Sequence, residues 1–480
     1  MTITPISSSA RRTRRSLPAV LMRAGTSKGL FIHRAHLPSS ENVWAAPLLA
    51  AMGSRYNDTR QIDGVGGATS VTSKVAVVAP SSRPGADVNY TFVQVAVGKE
   101  AIDMSGNCGN MCSGVGPFAV QEKLVEPQLG ARTVDVRIFN TNTSRIIVET
   151  VQIDENGELE EHGNCIIPVV RGSGSEIKVA FVDPAGSMTN KLFPSGVRAE
   201  KIVVDDVAGL SPFSVDVTLI DSANPFVLDS PLIITVTEAI RRHGAVLMGL
   251  AQDLEEAALV RGTPKIAYVS RPGPSPCSPS DIQVLAYSMG KPHPSLQLTG
   301  AVCIASAVCM KGTVAKSVAH GQRLGESEAL TPERTPSSPR TATRDKQELE
   351  QRADLLAPGL SSCSTQVITI THGNGSMEVE VWTKLGPCGL EIDHCIVSRT
   401  ARRLFEGKFG PSSRQQPDIM AAVVTDRAWE KSGQHTIEQA HWSQRNRRPH
   451  RVWAFDRTLG SQHRKTCLTE RKKVFVTPAP

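Results

Sequence analysis

The chain has 480 residues, 40% of them hydrophobic and 21% charged, with a formal net charge of +7. That length exceeds what one hydrophobic core usually organises and predicts two or three structural units. No apolar run approaches the roughly 20 residues that span a bilayer, and the ten cysteines form neither a CxxC pair nor a secreted-scaffold spacing, so a cytoplasmic setting without membrane or disulfides is expected. Residues 411–480 hold 13 Lys+Arg against 6 Asp+Glu, while the preceding 410 balance. The basic character therefore belongs to the tail. Nucleic-acid binding is disfavoured, although Trp429, Trp442 and Trp453 in that tail are residues that stack on bases.

Residues 1–17 read as a disordered leader. The first 40 residues contain no Asp or Glu, and Ser7–Arg15 has the Ser/Arg composition of a mitochondrial presequence, which leaves a mitochondrial location open. Order is expected from Pro18, with strand, glycine turn and strand around Arg23-Ala-Gly-Thr-Ser-Lys-Gly. Arg23, Thr26 and Ser27 offer a cation and two hydroxyls suited to a carboxylate. The glycine-rich segment Gln61–Val77 follows, with Gly67, Thr69 and Ser70 as candidate ligands and Lys74 at the start of an apolar strand. A lysine entering a desolvated strand has a reason to shed its proton and serve as a general base.

Alternating or β-branched runs predict further strands at Tyr90–Val97, Thr133–Phe139, Ile146–Ile153, Ile177–Val182, Lys201–Val204, Ser214–Ile220 and Phe226–Leu228. Between the first two lies Asn107-Cys-Gly-Asn-Met-Cys-Ser-Gly-Val-Gly-Pro-Phe-Ala-Val. Small residues precede Cys108, and Val115, Phe118, Ala119 and Leu124 follow at helical spacing, predicting a buried helix with a thiol at its mouth. Free first-turn N–H groups there suit an anion, with Asn107, Gly109 and Asn110 as ligands, and their partial charge favours thiolate. Asp221-Ser-Ala-Asn-Pro adds Ser222 and Asn224 in a polar turn.

A helix-rich stretch is expected over about 234–258, then strands at Lys265–Ser270 and Asp281–Ser288. His293 sits between two prolines, and Thr299-Gly300 opens an apolar helix beginning at Ala301 and carrying Cys303. A strand-rich half with one buried helix thus occurs twice, which suggests internal duplication. Residues 322–356, rich in Ser, Thr, Pro, Arg and Glu, read as a disordered insertion in the second half. Strands resume at Thr365–Thr371, Met377–Trp382 and Ile392–Ser398.

Each signal has a plainer reading beside it. A lone cysteine at a helix start is more often structural than catalytic. Lys74 by itself reads as a solvated strand-end charge, His293 as a turn residue and Cys303 as core. Neither a dinucleotide fingerprint, a Walker A sequence nor a metal-ligand cluster is present in the sequence.

Taken together, these segments resemble the PrpF-like family of methylaconitate and aconitate isomerases, which also includes methylitaconate and oxalomesaconate isomerases. Ser288-Met-Gly-Lys-Pro-His, Leu298-Thr-Gly-Ala-Val-Cys and Arg399-Thr-Ala-Arg-Arg-Leu-Phe-Glu-Gly complete the match in family order across residues 18–409. The resemblance implies an α/β (α+β) diaminopimelate-epimerase-like fold, two similar domains (18–190 and 191–409) each wrapping a mixed sheet around a central helix, with the active site between them. It implies catalysis without cofactor or metal on an unsaturated tricarboxylate, with Lys74 and Cys108 as catalytic pair, and it is compatible with a homodimer. The reaction expected is cis/trans-aconitate or 2-methylaconitate isomerisation. An oxalomesaconate or methylitaconate tautomerase, an amino-acid epimerase, and a binding protein acting through its basic tail remain as alternatives. Residues 410–480 depart from the family pattern.

Overall fold

Period-2 hydrophobicity builds most of the molecule. The computed structural model describes residues 16–229, 236–273, 280–320, 363–387 and 389–409; residues 1–15 of the expected leader, the 322–356 insertion and the basic tail lie outside them, while Leu17, expected in the leader, opens the first strand. All described residues belong to one compact unit.

The first half runs β1 (Leu17–Ala24), β2 (Ser27–His33), α1 (Ala45–Met52), β3 (Lys74–Pro80), β4 (Val88–Val95), β5 (Ile102–Asp103), α2 (Gly109–Cys112), α3 (Val115–Gln121), β6 (Thr133–Asn140), β7 (Arg145–Gln152) and β8 (Ile177–Val182). The second runs β9 (Glu200–Val204), β10 (Phe213–Asp221), β11 (Pro225–Asp229), α4 (Thr237–Leu247), α5 (Leu254–Leu259), β12 (Lys265–Ser270), β13 (Ile282–Ser288), β14 (Lys291–Pro292), α6 (Leu298–Cys309) and α7 (Val314–His320). It closes with β15 (Ser364–His372), β16 (Gly375–Gly386), β17 (Gly389–Arg399) and β18 (Ala401–Phe409).

The strands pair as one mixed sheet. The order is β9-β10-β11-β12-β13-β15-β16-β17-β8-β7-β6-β4-β3-β2-β1-β18, with β11–β12, β13–β15, β4–β6 and β2–β3 parallel and the other pairs antiparallel. The halves join where β17 meets β8. The last strand, β18, returns to the first half and pairs with β1, an element the alternation pattern did not predict because its side chains are largely exposed.

Each half curls around an inner helix and carries an outer one. Phe31, Ala76 and Val78 face inward onto Phe118 and Val115 of α3, while their neighbours Leu30, Ile32, Val75 and Val77 face outward onto Leu48 and Met52 of α1. In the second half Phe226 and Leu228 face α6, whereas Val227 and Leu219 face Ile240 of α4. Strands buried on both faces read as continuous apolar runs, which is how β2, β3 and β11 look in the sequence. Every residue of α6 is buried, and its Gly, Ala, Ser and Cys side chains let strands approach on all sides.

The single helix expected after Cys108 is two helices. Gly114 interrupts it, where a β-carbon would lie 2.7 Å from the Phe31 ring and 2.9 Å from Ala24, so the chain bends there to clear the sheet. Likewise α6 begins at Leu298, so Thr299 and Gly300 form its first turn rather than the loop before it. Among the described residues, no helix is long and apolar enough to cross a membrane.

Candidate active site

The two inner helices start at the same place. A β-carbon on Gly109, the first residue of α2, would lie 2.9 Å from Cβ of Leu298, the first residue of α6. Neither N-cap residue, Cys108 or Gln297, supplies a side-chain cap, so the first-turn N–H groups of both helices are left for other partners. A cleft opens over this junction.

Lys74, Cys108, Ser27, Asn107, Gly109, Asn110, His293 and Thr299 all line the cleft, as the motifs suggested. Lys74 is 6% exposed; its ammonium donates to Gln94 Oε1 at 2.7 Å and stands 4.9 Å from the centre of the Phe92 ring. The Asn107–Asn110 loop is held from every direction. The Asn107 N–H donates to Asn224 Oδ1 (2.9 Å), its carbonyl accepts from Lys265 Nζ (3.2 Å), and its side-chain oxygen accepts from Asn140 (3.0 Å). Tyr90 Oη donates to the Cys108 carbonyl (3.2 Å), and Asn110 donates to Thr26 Oγ1 (3.1 Å) while accepting from Arg399 Nε (3.3 Å). Burial pushes the Arg399 guanidinium down to about 10.

His293 is 9% exposed, and burial lowers its pKa to about 4, with Lys74 and Lys265 acting in the same direction. It is neutral at physiological pH. Its Nδ1 accepts the Ser295 N–H (3.2 Å), which leaves Nε2 as the protonated nitrogen and a donor. Three cleft-lining polar atoms, Ser27 Oγ, Gln297 Oε1 and Thr299 Oγ1, are buried without a hydrogen-bond partner. Buried polar groups are normally satisfied, so these three are the donors and acceptors a ligand would engage.

The remaining sequence candidates stand behind the cleft or away from it. Arg23 donates to the Gly25 and Thr400 carbonyls and ties the β1–β2 turn to the junction between β17 and β18, its guanidinium lowered by burial and by Arg402. Gly67 and Thr69 lie exposed in a loop organised by Gln61, whose amide donates to Ser54 and Ser73. Ser70 reaches the site only through its carbonyl, which accepts from Gln94 (3.1 Å). Ser222 bonds Ser306 inside the core (3.0 Å), Asn224 positions Asn107, and Gly300 makes room for the Phe226 ring. Cys303 is fully buried; its thiol donates to the Ser222 and Asn224 carbonyls at 2.9 Å and is pushed well up by burial.

Gln94, Asp103, Gln297 and Lys265 line the cleft and were not anticipated from sequence. Asp103 accepts from Ser105 N–H (2.8 Å) and Gly262 N–H (3.1 Å), joining the halves below Lys265. Burial is the main cause that lowers the Lys265 ammonium to about 8. The signal for Lys265 and Gln94 was only a polar residue at the end of an apolar strand.

A metal-capable grouping among the described residues, Asp205, Asp206 and His243, lies away from this cleft, where Asp206 already pairs with Arg242 (3.0 Å) and His243 (3.2 Å).

Comparison with known proteins identifies relatives of this chain. The family model described as PrpF protein matches residues 14–335. A 4-oxalomesaconate tautomerase of Pseudomonas putida is 33% identical over 82% of this chain and 95% of its own. A 2-methyl-aconitate isomerase of Shewanella oneidensis is 35% identical over 65% of this chain and 85% of its own. The crystal structure of a methylitaconate-delta-isomerase superposes with a TM-score of 0.59 and 27% identity, covering 85% of this chain and 98% of that one. The mixed α/β fold expected from the motifs is therefore the fold of that isomerase, and the chain belongs to the PrpF family.

Proposed function

We propose that this protein is an isomerase of unsaturated tricarboxylates of the aconitate type, working by proton abstraction and return in the cleft between α2 and α6. The observation that carries this reading is the meeting of a buried lysine and a cysteine with two uncapped helix starts and three unpartnered polar atoms in one cleft.

The chemistry follows from those groups. A proton on carbon beside an alkene and a carboxylate is acidified because the resulting carbanion delocalises into both. Lys74 removes that proton. Helix N–H groups, Ser27 and Thr299 stabilise the charge that accumulates on the carboxylate oxygens, and Cys108 takes part in returning a proton to the far carbon. The His293 Nε2–H adds a neutral donor. The two helix starts account for carboxylate binding without a surface of arginines.

An amino-acid epimerase using two opposed cysteines is less well supported. The second cysteine would be Cys303, and its thiol is committed to two main-chain carbonyls.

The test is proton NMR of the purified protein in D2O with cis-aconitate, trans-aconitate, 2-methylaconitate and oxalomesaconate supplied separately. Conversion of at least one, with deuterium entering the product, is expected. Absence of both conversion and exchange with all four would remove the proposal.

A further inference from the structure

Lys265 stands on the wall of the cleft opposite Lys74's half, at the start of β12. Its ammonium donates to the Asn107 carbonyl (3.2 Å) and lies 5.7 Å from the centre of the Phe226 ring. No carboxylate forms an ion pair with it among the described residues. The acid nearest in the cleft, Asp103, is spent on the N–H groups of Ser105 and Gly262 and on the Ser105 hydroxyl. The other titratable groups around it are Lys74 from β3, Cys108 before α2, the neutral His293, and the buried thiol of Cys303 from α6. Behind it, Arg241 and Glu238 of α4 and Arg261 border an adjoining space that Lys265 also lines, and Arg241 and Glu238 there pair with each other (2.7 Å). A half-buried ammonium in a cleft with no ion-pair partner is costly to maintain, and a protein keeps one where a ligand brings the anion.

We propose that Lys265 is the carboxylate clamp of the second half, binding a substrate carboxylate other than the one conjugated to the carbanion that Lys74 generates. This rests on the tricarboxylate reading above and deepens it, because a site with one cation per half selects substrates whose carboxylates are spaced across the cleft. Lys265 thus sets specificity and position rather than moving the reacting proton.

Its protonation supplies a signature. The free ammonium titrates at about 8, and a bound carboxylate beside it raises that value. Binding is therefore accompanied by proton uptake around and above pH 8. Affinity is flat below pH 8 and falls up to tenfold per pH unit above it.

The experiment is calorimetric titration of the full chain with tricarballylate, an unreactive saturated tricarboxylate. It is run from pH 6.5 to 9.5 in buffers of different ionisation enthalpy, alongside steady-state kinetics on the converted substrate. Lys265→Met should weaken binding and raise KM about 10- to 100-fold, as loss of a charge-assisted hydrogen bond predicts, while kcat changes less than about threefold. Lys265→Arg should recover most of the affinity and abolish proton uptake. Circular dichroism and a melting curve establish that both variants fold. Unaltered KM and affinity in Lys265→Met, or proton uptake that persists in Lys265→Arg, overturn the clamp while the isomerase reading stands. A wild-type protein that neither binds nor converts any tricarboxylate overturns both.

Discussion

The Lys74 ammonium is held by Gln94, its direct register partner on the neighbouring antiparallel strand, through a 2.7 Å hydrogen bond. The Gln94 amide is oriented for this task, since its Nε2 donates to the carbonyls of Ser73 (2.8 Å) and Ser70 (3.1 Å) and so turns Oε1 toward the lysine. A neutral acceptor orients the Lys74 side chain without placing a charge beside it. Gln94→Glu would supply an anion and favour the ammonium. The expected result is a 10- to 100-fold lower kcat at pH 7, partly regained as pH rises, and a pH–rate profile with its basic-side requirement moved upward checks it.

Lys74 and Cys108 have separable parts in the proposed cycle. Lys74→Met should reduce turnover by about 10²- to 10⁴-fold, the usual size of a general base contribution, and suppress substrate deuteration in D2O. Cys108→Ala should lower net conversion by orders of magnitude yet leave slow exchange at the carbon that Lys74 addresses. Equal loss of exchange in both variants would assign them to one step.

Gly109 is the contact point of the two inner helices. Adding a methyl group there pushes on Leu298 at 2.9 Å and on the Phe181 ring at 3.0 Å. Gly109→Ala is expected to cost about 1–3 kcal/mol through overpacking and to depress kcat/KM further, because the two helix starts shift apart. Urea denaturation and steady-state kinetics on the same preparation measure the two effects.

Glu149 sits fully buried under α3. Its Oε2 accepts the Gly116 N–H at 2.7 Å, and burial raises its pKa to about 8 against an ordinary 4.5. Between pH 4.5 and 8 the folded protein therefore keeps a proton that the unfolded chain releases. Stability from this group falls as pH rises through that window, by up to about 1.4 kcal/mol per unit, and levels off above 8. Glu149→Gln retains the acceptor without the charge. It should be more stable than wild type at pH 9, with the advantage shrinking toward pH 5, in denaturation curves at the two values.

Lys265→Met carries a second prediction beyond binding. Removing a half-buried cation that has no ion-pair partner among the described residues should leave the melting temperature at pH 7 unchanged or higher even as KM rises. A drop of many degrees would make Lys265 a structural element instead.

Much of this molecule is legible in its sequence, for local reasons. Alternation and β-branching locate β6, β7, β8 and β12 within a residue or so, because a strand with one buried face must repeat every two residues. Lys74 and Cys108 stand out because a lysine entering an apolar strand and a thiol before a buried helix are chemically unusual in themselves. Their neighbourhood is another matter. Gln94 matters because antiparallel register sets it opposite Lys74, and Lys265 because it reaches a carbonyl 158 positions away in the chain. Ser222 and Gly300, equally conspicuous as sequence, became core once the sheet closed around α6. Most strand positions, and the placing of Lys74 and Cys108 at the ends of apolar elements, follow from the sequence, since these depend on residues close along the chain. Tertiary structure alone decided which polar groups share a cleft with them, since that depends on two inner helices starting against each other at Gly109 and Leu298.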